Sequence, residues 1–307
     1  MRKALFLLAV AAMATACSQP VARPVVLEVR VPEYATTESF GARLFHQYAT
    51  LAPRLSFRFV PTAGTSTVDL FARGDADIAV TSADAAYFAF RTWGTRDARH
   101  QFNAIAALQL VPMHLVIGPD AHSRRVSDLR RIAFMNTTPV TNRFNERVAG
   151  VLGVGAAVPV PSASFRSLEA PFQGGDFDAV LLSGDYPAPA VQRWLDEGAR
   201  LTDMPDDAIA RLRHDYPFIH PMSIPAGTYR GQPDPIRTFG IQMVLVCRRD
   251  LGDDVVYELS RQLFAVLAQL RHQYPELRRL GLAQTLSTPI PLHPGAAAFY
   301  RELELGS

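Results

Sequence analysis

Cysteine is nearly missing from this chain, with two in 307 residues, Cys17 and Cys247. If Cys17 is consumed at the N-terminus, as argued below, no internal disulfide can form. Lysine does not occur after Lys3, and tryptophan occurs only twice. Neither sign of charge dominates: 31 basic against 29 acidic side chains give a formal charge of +2. Without a dense basic stripe, the electrostatic footprint of a nucleic-acid binder is lacking. Beyond the first residues, no apolar run approaches the roughly 20 residues that a membrane-crossing helix needs. The Walker loop, GxGxxG, HExxH and CxxC are all absent, as are GxSxG and SxxK. The eight histidines are scattered, with no pair at i, i+4. These absences predict a protein without catalytic residues, cofactor, metal or nucleic-acid partner.

What is present begins with "MRKALFLLAVAAMATAC". A basic head precedes an apolar run of roughly ten residues, too short to span a bilayer but suited to a signal peptide. The segment Ala14-Thr15-Ala16-Cys17 is similar to a bacterial lipobox, although leucine is usual where Ala14 stands. The expectation is a signal peptide over 1–16, acylation of Cys17 and a tether over 17–24. The protein would then be periplasmic and held to a bacterial membrane by lipid alone. Cys247, inside the apolar strand "GIQMVLVCRR", reads as a buried, inert thiol.

The remainder, about 290 residues, is ample for two lobes. β-Branched strands such as "VVLEVRV" (25–31), "LSFRFVPT" (55–62) and "DIAVTSA" alternate with amphipathic helices such as "FGARLFHQYATLA". "FNAIAALQLVPMHLVIGP" reads as two strands broken near Pro112, "RVSDLRR" as a short helix and "PIPLHPGAAAFYREL" as a final turn. A second alternating set follows the first, and long strand passages near 110–118 and 236–247 would cross between them. This predicts an α/β protein of two lobes, each a mostly parallel sheet flanked by helices, hinged by crossover strands. Lobe 1 would hold 25–114 plus 240–307, and lobe 2 would hold 115–239.

In open parallel sheets, ligands bind beyond the carboxyl ends of strands, near helix N-termini. That rule selects the loops 32–39, 62–67, 81–85, 136–142 and 183–189, all rich in hydroxyls and amides. Such groups hydrogen-bond a small polar solute but do not carry acid–base chemistry alone. Asp84 has two readings, ligand contact and cap of the helix "DAAYFAFRTW"; Asp185 has the same two. Tyr229, in the kinked "SIPAGTYRGQ", reads as a packing anchor, and His293, between prolines, as a hydrogen-bonded structural imidazole. Asp253 and Asp254 of "DLGDDVV" read as a helix start and not as a calcium loop.

Three C-terminal segments, "YPFIHPMSIPAGTYRGQ", "VLVCRRDLGDDVVYELSRQLF" and "TPIPLHPGAAAFYRE", carry a resemblance. With "GTSTVDLFARGDADIAVTSADAAYFAF", "MHLVIGPDAHSRRVSDLRR" and "FDAVLLSGDYPAPAV", they make nearly the whole chain similar to TAXI-type solute receptors of TRAP transporters. The resemblance implies a type II periplasmic-binding-protein fold, a monomer, a small-molecule solute and a TRAP-type membrane permease as partner. The ligand loops depart most: "VPEYATTESFG" keeps only Tyr34 and Gly41 as matches, and "FMNTTPVTN" replaces a glycine-rich anion loop. Asn136, Thr137, Thr138 and Thr141 still offer donors there, whereas Pro139 offers no N–H. The expected ligand contacts are therefore Tyr34, Thr65, Ser66, Ser82, Asp84, Asn136, Thr137, Thr138, Thr141, Asp185 and Tyr186. They would bind a small polar or carboxylated solute, amino acid or dicarboxylate in kind. The altered loops also admit a second expectation, a non-transport envelope lipoprotein that acts as a sensor or partner-binding module.

Overall fold

The computed structural model describes residues 25–31, 40–61, 67–93, 101–119, 121, 125–136, 139–161, 166–274, 277–278 and 280–305. The chain opens with β1 (Val25–Val31), α1 (Phe40–Leu51), β2 (Leu55–Pro61), α2 (Thr67–Arg73), β3 (Ile78–Ser82) and α3 (Ala83–Trp93). Alternation puts Leu27 and Val29 of β1 into the core, where α1 lays Phe40, Leu44, Phe45 and Tyr48 over them. Tyr48 is fully buried, so its hydroxyl needs an acceptor; it donates to the carbonyl of Leu259 at 2.8 Å.

The long β4 (Phe102–Ile117) leads to a single 3₁₀ turn (Val126–Asp128), then β5 (Arg131–Asn136), α4 (Pro139–Val151), β6 (Ala156–Pro161), α5 (Arg166–Gln173) and β7 (Ala179–Ser183). Next come α6 (Pro189–Asp196), β8 (Arg200–Leu201), α7 (Asp206–Asp215), β9 (Ile219–Ile224) and β10 (Ile236–Arg248). Three helices close the chain: α8 (Asp253–Leu270), α9 (Leu282–Leu286) and α10 (Pro294–Leu305).

The strand order is β2-β1-β3-β10-β4-β7-β5-β6, with β8 beside β4 and β9 beside β10. Pairs among β1, β2 and β3 and among β5, β6 and β7 are parallel. The central pairs β3–β10, β10–β4 and β4–β7 are antiparallel. Each wing is therefore wound as the sequence predicts, and two long strands join the wings.

Three expectations need correction. Pro112 does not break the strand: β4 runs through it for 16 residues. Its partner changes there instead, from Gly240 opposite Pro112 to Ser183 opposite Met113. A residue without an N–H is tolerated where one ladder ends and the next begins. "RVSDLRR" makes only the 3₁₀ turn, since three residues, Val126–Asp128, are too few for an α-helix. "PIPLHPGAAAFYREL" leads into a helix of 12 residues, Pro294–Leu305, because Pro294 starts it, at the position where proline is at home.

Gly295 lets α10 touch the start of α8. A β-carbon there would lie 2.2 Å from the Asp253 carbonyl oxygen, a backbone atom that cannot swing aside. Gly295→Ala should therefore cost about 1–3 kcal/mol by overpacking. Thermal melting checks this, and an unchanged midpoint would contradict it. His293 beside it is fully buried; Nε2 donates to the Arg249 carbonyl at 3.1 Å and Nδ1 accepts the Gly295 N–H at 3.2 Å. It is structural, as is Cys247, 0% exposed, whose thiol burial pushes far above its usual range.

Candidate functional site

Two strand ends carry the described part of the site. At the first, β3 ends on Ser82 and α3 starts at Ala83, which places Asp84 in the first helical turn and not at the cap. Asp84 is only 4% exposed. Its carboxylate accepts hydrogen bonds from Ser82 and from the backbone of Ala85 and of Asp84 itself, yet burial wins and its pKa is raised. One oxygen, Oδ1, has no partner.

At the second, β7 ends on Ser183 and the chain passes through Gly184, Asp185 and Tyr186 before α6. Asp185 Oδ1 accepts a 2.7 Å hydrogen bond from Nε2 of Gln109. Burial pushes the Asp185 carboxyl up to about 6, and it forms no salt bridge among the described residues. Gln109 is 2% exposed, and its own oxygen, Oε1, is unpaired.

Strand pairing relates the two ends. Ser82 lies opposite Met243 of β10, and Gln242 of β10 lies opposite Leu110 of β4. The register slips at Met243, between Gln242 and Val244, a bulge of the kind that re-aims side chains beside binding sites. Gln109, next to Leu110, thus stands near the level of Ser82 across β10, and its amide holds Asp185. Ser82, Gln242 and Gln109 form a row of polar residues on three adjacent strands near the middle of the sheet. Gln242, 5% exposed, donates weakly to the Gln284 carbonyl at 3.3 Å.

Residues 225–232 support the second end. Gly227 and Gly231 take φ of 71° and 78°, which other residues resist. Gln232 knits the loop together through its amide, bonding Tyr229 N–H, the Pro225 carbonyl and the Asp234 carbonyl. Arg230 ties the loop to α6 through Gln192 and Asp196. Tyr229 is 2% exposed; its hydroxyl accepts the Ala188 N–H at 3.0 Å and lies 2.8 Å from Nε2 of His114. Burial pulls the His114 pKa down to about 4, so the ring is neutral and Nε2 can accept the phenol proton. The tyrosine on this stiff loop is a packing anchor that also fixes the segment following Asp185 and Tyr186. Tyr229→Phe leaves Ala188 N–H and buried His114 without that oxygen and should cost about 1–3 kcal/mol. Urea denaturation checks it; a midpoint within error of wild type would contradict it.

The remaining expected contacts divide. Tyr34, Thr65, Ser66, Thr137 and Thr138 lie outside the described residues, as does Cys17. Asn136 closes β5, paired with Pro161. Thr141 belongs to α4 and not to a loop, because the helix begins at Pro139. Tyr186 is partly buried against the apolar group around Trp194 and Tyr229. Gln109 and Gln242 were not anticipated, although each interrupts one of the two longest apolar strands, and that interruption is a legible signal.

Between the wings, α3 and α4 meet through aromatics. Phe144 of α4 touches Tyr216 and Phe218 at ring distances of 5.2 and 5.5 Å, and Phe88 of α3 touches both at 5.8 Å. Two hollows lie elsewhere: about 420 Å³ beside Asp253, Tyr257 and Gly295, and about 740 Å³ between α7 and β9. Neither is lined by a buried unpaired donor or acceptor, so the polar row is the better candidate. No grouping of three or more metal-ligating side chains occurs among the described residues, and no described helix is long and apolar enough to cross a membrane.

Comparison with solved structures identifies the architecture. The periplasmic aliphatic sulphonate binding protein SsuA from Escherichia coli is 15% identical, with 91% of this chain and 83% of that chain covered and a TM-score of 0.50. A Candida albicans protein with the generic periplasmic binding protein fold is 14% identical, covering 92% and 80%, at 0.52. A histidine kinase sensor domain similar to periplasmic binding proteins is 13% identical, covering 84% and 96%, at 0.51. At such identities the likeness establishes the fold alone, the two-lobed type II periplasmic-binding-protein fold. The sequence model of the NMT1-like family matches residues 58–303, and the chain belongs to that family.

Proposed function

We propose that this member of the NMT1-like family is an extracytoplasmic receptor that captures a small polar or carboxylated solute, amino acid or dicarboxylate in kind. The observation that carries the reading is a pair of buried acceptors with unpaired oxygens: Asp84, just past the end of β3, and Gln109, within β4 and bonded to the loop that follows β7, near strand ends where this fold leaves room for a ligand. The lobes are 25–114 plus 240–307 and 115–239, with β4 and β10 as the hinge. The partner change at Pro112 and Met113 supports this division. A solute that touches both lobes only when they are closed shifts the population toward that state.

The TAXI resemblance supports delivery to a TRAP-type permease by a monomer, with no chemistry performed on the cargo. The N-terminal sequence supports export by a signal peptide over 1–16, a periplasmic location and lipid attachment at Cys17. Tyr34, Thr65, Ser66, Asn136, Thr137, Thr138 and Thr141 complete the contact set in this reading. Protein purified without added solute should release one small molecule on denaturation, identifiable by mass spectrometry, and should rebind it at one site. Failure to release any solute, with no titration heat from amino acids or dicarboxylates, would contradict the proposal.

One observation favours a second reading. The aromatic contact between α3 and α4 joins the wings without a solute, which suits an envelope lipoprotein serving as a sensor or partner-binding module. A deletion strain with normal uptake and a captured envelope partner would select it.

A further inference from the structure

Four ring contacts cross between the wings among the described residues. On one side stand Tyr87 and Phe88 of α3; on the other stand Phe144 of α4 and the pair Tyr216 and Phe218, between α7 and β9. Phe88 makes three of the contacts, with Phe144 at 6.3 Å and with Tyr216 and Phe218 at 5.8 Å. Tyr87 makes the fourth, with Phe218 at 5.4 Å. The two Phe88 contacts at 5.8 Å are near-perpendicular, at 75° and 77°, the favoured edge-to-face geometry. Around these rings the apolar side chains of both wings merge into one core, whereas the two other apolar groups each keep to a single wing.

On both wings the rings sit one helical turn from a candidate contact. In α3, Asp84 and Phe88 are four residues apart, and in α4, Thr141 and Phe144 are three apart, spacings that share a helix face. None of the five rings is an expected ligand contact, so their packing holds whether or not a solute lies between the lobes. Asp84 and Gln109, whose open oxygens would receive the solute, are 4% and 2% exposed, and reaching them requires the lobes to part. We infer that the five rings form an interlobe clasp that gates the cleft, so that solute enters and leaves only when Phe88 withdraws from Phe144, Tyr216 and Phe218. This rests on the receptor reading above and gives that receptor its gate. Closure is then the resting state, and cargo adds to a population that the clasp already favours.

Small-angle X-ray scattering of refolded, cargo-free protein tests the clasp. Wild type should scatter as the clasped structure does, with a radius of gyration that the small molecule released from the purified protein leaves unchanged. Phe88→Ala should shift the ligand-free radius upward, and adding that molecule should bring it back. In stopped-flow mixing with the same molecule, association and release should each be about tenfold or more faster in Phe88→Ala. Mere loss of stability does not accelerate association. If the alanine variant fails to fold by circular dichroism, Phe88→Leu, which removes the ring but keeps apolar bulk, takes its place. A ligand-free wild type that is expanded and contracts with the molecule, or a Phe88 variant with unchanged radius and rates, overturns the clasp while leaving the receptor reading standing. If no molecule is released or bound, the receptor reading fails, and the scattering of ligand-free wild type against Phe88→Ala alone decides the clasp.

Discussion

Replacing Phe144 with alanine should destabilise the protein by about 3–5 kcal/mol, the range for removing a buried phenyl ring. Phe144 is 1% exposed and stands where α4 of one wing meets α3 of the other. Its ring makes near-perpendicular contacts with Tyr216 and Phe218, at 86° and 65°, the arrangement that places ring edges on ring faces. Truncation opens a cavity that the three neighbouring aromatics, Phe88, Tyr216 and Phe218, cannot collapse to fill, because each is packed against the others. Urea denaturation of Phe144→Ala against wild type measures the effect. Leu305→Ala serves as a control, since Leu305 is 89% exposed and such changes usually lie within about 0.5 kcal/mol. A loss below about 1 kcal/mol for Phe144→Ala would mean that the cluster does not join the wings.

Asp185→Asn should act in opposite directions on stability and on binding. In the unfolded chain this carboxyl titrates near 3.8, and in the fold burial raises it to about 6. The folded state therefore holds a proton that the unfolded state releases between those values. The stability due to the neutral form is complete below pH 4 and is lost as pH rises through 6. Asparagine never ionises and can still accept from Gln109. At pH 7–8 the ligand-free variant should be more stable than wild type, on the order of 2 kcal/mol, and the difference should vanish near pH 4. Solute binding should weaken by roughly 10- to 100-fold. Melting curves at several pH values and one titration check both halves; parallel curves at all pH values would contradict a carboxyl whose pKa burial raises. A site that sacrifices folding stability for ligand binding is a recognised pattern.

Much of the wing architecture was legible because alternation and helical spacing speak directly. Leu27 and Val29 alternate with outward residues in β1, and Phe40, Leu44 and Tyr48 recur at helical intervals in α1. The losses concentrate at proline. β6 and β9 pass unnoticed because Pro159 and Pro221 look like breakers; each strand pairs with only one neighbour among the described strands, and proline is tolerated on such edges. Pro139 and Pro294 look like interruptions and are helix starts. The site was half legible. Asp84 and Asp185 follow from strand-end loops, whereas Gln109 lies mid-strand, where its role depends on which loop β7 brings opposite. That is a tertiary fact, and no local rule contains it.

The most direct measurement is an equilibrium titration of the refolded, cargo-free protein with the small molecule extracted from it, followed by recovery and mass analysis of that molecule. Saturable one-to-one binding, reversed on denaturation with the molecule chemically intact and strongly weakened by Asp185→Asn, is the predicted result. Chemical conversion of the molecule, or binding that Asp185→Asn leaves unaltered, would contradict it.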